Sequence, residues 1–182
     1  MSLLIGFLPF LAFAVLASYG QVLAGLLAAT AIATGAMLRS RSLRWLEAGS
    51  VGLFAALALC ALLAPVPPPA SVVRLAVNGG LAAIVLLSLA VGRPFTLPYA
   101  REQAPREIWT HPVFLAVNRR ITLVWALAFA VMALADALPI AAPSLAGLFP
   151  LVLQAMALAA ALSFTVWYPK HVRRRATPAG RA

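Results

Sequence analysis

"VVRLAVNGGLAAIVLLSLAV" (Val72–Val91) runs directly into "GRPFTLPYAREQAPREIWTH" (Gly92–His111). The first stretch carries a single charged residue, Arg74. The second carries Arg93, Arg101, Glu102, Arg106 and Glu107, with prolines at 94, 98 and 105. A membrane crossing needs about 20 predominantly apolar residues, and the first stretch meets that length. Gly92-Arg93-Pro94 then closes it, since neither glycine nor proline favours continuing a helix. The pair therefore reads as an apolar span that delivers the chain into a basic loop.

The same pattern extends in both directions. Apolar runs cover residues 3–18, 22–38, 43–64, 72–91, 112–138 and 142–168, and a basic tail occupies 169–182. The first two runs together would make about 54 Å of helix at 1.5 Å per residue. That is too long for one crossing of a ~30 Å hydrocarbon core, so they read as a tight helical hairpin with Gly20 at the turn. Pro9 is expected to bend the first helix. Residues 1–18 lack the positive leading region of a signal peptide and read as a retained first span. Pro65–Pro69 closes the third run, and Pro169-Lys170 is expected to close the sixth.

Composition agrees. The chain of 182 residues is 64% hydrophobic, with a mean hydropathy of +0.99. A soluble domain is roughly half apolar, and so much apolar surface does not fit inside one small core. The expected fold is an all-α polytopic membrane bundle of six transmembrane helices, a single integral membrane domain over 1–182. Lone Cys60 lies inside an apolar run and forms no internal disulfide.

Charge sets the expected orientation. With six spans, loops 39–45 and 92–111, the tail and both termini share one side. That side holds 13 of the 14 basic residues, and Arg74 alone belongs to the other. The positive-inside rule then places both termini in the cytoplasm. The formal net charge of +10 is accounted for by topology and by anionic lipid head groups, and nucleic acid is not an expected partner. Trp45, Trp109, Trp125, Trp167 and Tyr168 are placed as an interfacial belt, with Trp125 somewhat deeper.

Chemical motifs are sparse. His111 and His171 are isolated, with no partners at metal-ligand spacing. No nucleophile motif is present, and Glu102 and Glu107 sit five apart beside arginines, as surface carboxylates do. No catalytic residue, metal or cofactor is expected. The candidate partner or head-group contacts are Arg93, Tyr99, Arg101, Glu102, Arg106, Glu107, Trp109, His111, Arg119 and Arg120. Pro105 is suited to start a short helix that would lay Arg106–Trp109 on the membrane surface. Within the spans, Asn78 and Gln154 are candidate interhelical contacts. Asp136 and Arg74 are expected to pair and tie together the loops between spans three and four and between spans five and six.

Phe7-Leu8-Pro9, Ala28-Ala29-Thr30-Ala31, the basic segment Arg39–Arg44, Arg93-Pro94, Trp109, Asn118 and Trp125-Ala126-Leu127-Ala128-Phe129 carry a resemblance. The chain resembles, as a divergent relative, the intracellular septation protein A family of bacterial inner-membrane proteins. The span layout carries it over the whole chain, and its sharp part is residues 92–129. The resemblance implies a multi-pass protein of the bacterial inner membrane, non-enzymatic, engaged in cell-envelope maintenance or division. Expected partners are anionic lipid, envelope or division membrane proteins, and a second copy of the chain. The alternatives are a small transporter or lipid carrier and, less favoured, a lipid-modifying enzyme using Glu102, Glu107 or His111.

Overall fold

The computed structural model describes residues 6–40 and 45–176, and among these every regular element is helical. We number the helices α1 (Leu8–Ser18), α2 (Val22–Ser40), α3 (Trp45–Leu63), α4 (Ala70–Ala90), α5 (Leu97–Arg101), α6 (Pro112–Ala141) and α7 (Leu148–Ala176). Short 3-10 turns at Arg106–Ile108 and Pro143–Leu145 precede α6 and α7. Five helices, α2, α3, α4, α6 and α7, are long and apolar enough to cross a membrane, which gives the chain the character of a multi-pass membrane protein.

Two glycines act where the sequence places them. Gly20 has φ 77° and Gly92 φ 73°. After α1 the Gln21 N–H donates to the Leu16 carbonyl at 2.9 Å and Gly20 N–H to Ala17 at 3.1 Å. After α4 the Arg93 N–H reaches the Ser88 carbonyl at 2.8 Å and Gly92 N–H reaches Leu89 at 3.0 Å. Both are Schellman closures, in which a left-handed residue just past the helix returns two amides to its last turn. A side chain at either φ would be strained.

Short connections make successive long helices antiparallel neighbours. α4 packs most extensively on α6, α6 on α7, and α1 and α2 form a hairpin against α3. The α1–α2 contact is close because Gly25 faces Phe13 and Leu16. Between α3 and α4, Gly49 faces Ile84 and Gly80 faces Leu53, so each helix presents a glycine to a branched side chain of the other. Small residues allow this approach where lipid supplies no hydrophobic drive. The core runs through Phe13, Leu26, Phe54, Leu81, Val85, Phe95, Trp125 and Phe129.

Several boundaries differ from the sequence expectation. α1 has 11 residues, shorter than a span, and residues 3–5 of the expected first run lie outside the described part. Pro9 lies in the first turn of α1, where proline suits the fold, so it does not bend the helix interior. α6 continues through Pro139 to Ala141. α7 starts only at Leu148, after Gly147 at φ 125°, and passes through Pro169 to Ala176. Proline removes one helical hydrogen bond, yet membrane helices accommodate it. Here stacked i, i+4 rings reinforce the segment: Phe164 on Tyr168 at 4.8 Å and, across Pro169, Trp167 on His171 at 4.7 Å.

Trp125 corrects the expected aromatic belt. It is 1% exposed, fixed in the bundle core by Phe7, whose ring stacks on it at 4.5 Å. Trp167 is exposed, Trp109 and Tyr168 are half-buried, and the Trp45 side chain lies outside the described part.

Candidate functional site

The segment 92–111 folds back onto the bundle. Ser88, at the end of α4, fastens its start: the Ser88 hydroxyl donates to Val85 O at 2.7 Å and accepts the Phe95 N–H at 3.2 Å. Phe95 inserts into the core at 1% exposure. The next residue, Thr96, is buried among polar groups of α6. Its hydroxyl lies 2.8 Å from the Thr122 hydroxyl, 3.1 Å from the Asn118 carbonyl and 3.3 Å from Asn118 Oδ1. Asn118 Nδ2 donates to Phe114 O at 2.8 Å. Buried polar groups are costly without such partners, so this network defines where the loop meets α6. Tyr99 on α5 is buried as well, at 2%.

The outer half of the segment is clamped by Trp109. Its indole N–H donates to Ala104 O at 3.0 Å. The guanidinium carbons of Arg101 and Arg106 stand 5.6 and 5.7 Å from its ring centroid, within the ~6 Å reach of a cation–π contact. As expected, Pro105 precedes a helical turn, the 3-10 turn Arg106–Ile108. His111 caps α6, its Nδ1 accepting the Val113 N–H at 3.2 Å.

Beneath this roof, between the start of α6 and the end of α7, lies a partly open cavity of about 650 Å³. That volume is within the roughly 300–1,000 Å³ typical of small-molecule sites. Val117, Ile121 and Val172 supply apolar wall, while Asn118, Gln103 and Arg173 supply polar groups. Trp125 lies under the floor, donating its indole N–H at 3.0 Å to Thr165 Oγ1, a residue that lines the cavity.

Of the sequence candidates, Tyr99 and His111 line this cavity. Arg101, Arg106 and Trp109 are not among its lining residues; they clamp the segment whose Ala104 and Ile108 line it. Glu102 and Glu107 are exposed and are not among the lining residues. Arg93 and Arg119 are exposed. Arg120 donates to the Tyr168 hydroxyl and stands 5.8 Å from its ring centroid, joining α6 to α7. Among the described residues no three His, Cys, Asp or Glu side chains converge on a metal position.

A second polar centre lies toward the opposite, proline-rich end. Asp136 of α6 is 2% exposed and accepts three donors. Arg74 Nε lies 3.3 Å from Oδ1, Gln154 Nε2 lies 2.8 Å from Oδ1, and Asn78 Nδ2 lies 2.7 Å from Oδ2. The expected Arg74–Asp136 pair is present. Its placement differs, because both residues lie within helices and the pair joins α4 to α6 directly. The two amides, read from sequence as separate contacts, converge on the same carboxylate and draw in α7. Three nitrogen donors thus converge on one carboxylate, which acts as an interhelical clasp.

Sequence reading missed Thr96, Thr122 and Thr165. The one local signal was that Thr96 follows an Arg-Pro-Phe break and Thr122 lies one helical turn beyond Asn118. No family model, characterised protein or solved structure matches the chain.

Proposed function

We propose that the chain is a non-enzymatic, six-span protein of a bacterial inner membrane, with both termini cytoplasmic, acting in envelope maintenance or division through its basic end. The observation that carries this reading is the folded roof over residues 92–111. A passive connector has no need of a cation–π clamp, a buried Thr96–Asn118–Thr122 network and a cavity beneath it. The exposed positions of Glu102 and Glu107 argue against an enzyme. The sixth crossing is supported by α1: a Cβ built on Gly6 would lie 2.9 Å from the Tyr99 hydroxyl and 3.5 Å from Leu46, both at the basic end, while Gly20 turns at the other. The resemblance to the septation protein A family agrees with this span layout. A carrier reading draws on the Asp136 centre and the cavity, but Phe7, Phe95, Trp125 and Phe129 fill the bundle between them.

Orientation is testable by cysteine labelling in a Cys60→Ala background. Pro67→Cys is expected to react with a membrane-impermeant maleimide in intact cells, and Gln103→Cys only after permeabilisation. The reverse pattern would overturn the topology. For function, Trp109→Ala and the double change Arg101→Ala/Arg106→Ala are expected to abolish complementation of a deletion strain at unchanged protein level. Asn78→Ala and Gln154→Leu are expected to retain it wherever the protein accumulates. A carrier would show the opposite ranking.

A further inference from the structure

We infer that the cavity under residues 92–111 binds an anionic phospholipid from the leaflet at the basic end, one acyl chain against α6 and α7 and the head group at Arg173. This deepens the proposed function and rests on it in one respect, that α6 and α7 cross a bilayer.

The depth of the cavity carries the first part. Its lining on α7 runs from Thr165 to Arg173, about 12 Å of helix at 1.5 Å per residue. One leaflet of a ~30 Å hydrocarbon core is about 15 Å deep. The cavity therefore reaches from head-group level through most of one leaflet and stops there, because Trp125 and Thr165 close its floor. A water-soluble ligand would need no such vertical extent between two membrane-crossing helices.

Its lining carries the second part. Val113, Val117 and Ile121 recur on one face of α6 and meet Val172 of α7, an apolar wall suited to a hydrocarbon chain. The polar members sort by level. Asn118 and Thr96 bond each other deeper in the cavity, and Arg173, which also makes a contact within the protein, and His111, which caps α6, lie at the head-group end. Lys170, Arg174 and Arg175 continue that end along α7. Among the described residues, none of the acidic side chains lines the cavity. The charged side chain in its lining, Arg173, is basic, and its complement is an anion carrying an apolar tail. Snorkelling arginine at the interface is the usual partner of a lipid phosphate.

The roof gives the site a fixed shape. Ile108 and Ala104 line the cavity from above, and the Trp109 bond to Ala104 O holds that edge in place. A chain seated below is thus enclosed by protein on more sides than an annular lipid would be.

The test is lipid retention by the full chain, purified in a neutral detergent and read by native mass spectrometry. Phosphatidylglycerol and phosphatidylcholine of identical acyl chains are the probes. The wild type is expected to retain one phosphatidylglycerol per chain, preferred about five-fold over phosphatidylcholine, the ratio one interfacial arginine contributes. Val117→Trp, which fills the cavity, should lower retention of both lipids about ten-fold. Arg173→Gln should keep retention and lose the preference. Val152→Trp, on the exposed face of α7 at the other end, should behave as wild type. Should Val117→Trp fail to fold by thermal melting, Ile108→Trp fills the same space from the roof. Equal retention of the two lipids by the wild type, or undiminished retention by the cavity-filling variant, overturns the inference. Labelling that reversed the topology, or complementation insensitive to Trp109, would overturn the proposed function without altering retention in detergent.

Discussion

Asp136→Leu is expected to lower the stability of the purified protein by on the order of 2–5 kcal/mol, read as a shift in its unfolding midpoint in mixed detergent. The magnitude follows from the three donors that converge on one carboxylate. Interhelical hydrogen bonds in membranes contribute roughly 0.6–1.7 kcal/mol each. Leucine removes all three at once with the same branching but two bulkier methyl groups, and it strands the Asn78 amide in a buried site. Asp136→Asn keeps an acceptor but adds a fourth donor, and should fall between leucine and wild type. Gln154→Leu removes one bond and should cost about 0.6–1.7 kcal/mol. Arg74 is 40% exposed at its side chain, so Arg74→Ala is expected to cost the least, as screened ion pairs do. Exchanging the two charges is not the milder change here, because an arginine at 136 would bury a longer cation where Asp136 is 2% exposed, and the Asn78 and Gln154 amides would have to turn over to accept from it. An Asp136→Leu protein within 0.5 kcal/mol of wild type would show that the clasp contributes nothing net.

That clasp marks how far the sequence is legible. Span positions follow from hydropathy alone, because lipid requires every backbone group to be satisfied within its own helix. The closures at Gly20 and Gly92 are legible too, since only a residue tolerant of positive φ ends a helix in that way. Arg74, Asn78, Asp136 and Gln154 were each conspicuous as polar residues in apolar runs. Their convergence was not, because it depends on how α4, α6 and α7 rotate about their axes, and their uniformly apolar faces leave that rotation unmarked. Trp125 differs for the same reason: tryptophan reads as interfacial by residue type, yet Trp125 lies midway along α6, and only its partner Phe7, far away in sequence, shows it to be core. Local backbone rules favour a stop at Pro169, whereas the stacked Trp167–His171 rings act across it. The site itself was half legible. Charge and proline content singled out residues 92–111, but the cavity is made by α6 and α7 as much as by the loop, and no local pattern encodes a space between elements.

Both polar centres attach to the same helix. Thr96, Ser88 and Asn118 fix the roof to α4 and α6 at the basic end, and Asp136 fixes α4 and α7 to α6 at the other. Between them α6 contributes Trp125 and Phe129 to the aromatic fill. The α6 wall of the cavity therefore belongs to the most extensively packed pair of helices, α4 and α6, while its other wall is α7, whose apolar window is only 11% buried.

Trp125→Ala is the substitution expected to join the two halves of the bundle. The indole is 1% exposed, stacked on Phe7 at 4.5 Å and tilted against Phe129 at 5.6 Å. Truncating a buried tryptophan costs about 3–5 kcal/mol in a close-packed interior. In a bilayer the cost is one of lost packing, since lipid tails are as apolar as the side chains removed. Alanine also leaves Thr165 Oγ1 without its indole donor, although that hydroxyl keeps its own bond to the Ala161 carbonyl at 2.7 Å. Trp125→Phe separates these contributions: the stack on Phe7 survives, the hydrogen bond is lost, and the expected cost falls to about 0.5–1.5 kcal/mol. The functional consequence should differ in kind from that of Asp136→Leu. Loss of the clasp loosens the proline-rich end and leaves the cavity floor intact, so bound phospholipid should persist in whatever fraction remains folded. Loss of Trp125 opens the floor toward Phe7 and Phe129 and removes the stop that limits the cavity to one leaflet. At equal destabilisation, lipid retention should therefore fall in the Trp125→Ala protein and hold in the Asp136→Leu protein. Retention that fell equally in both would mean that the cavity responds only to global stability, and that Trp125 serves the core rather than the floor.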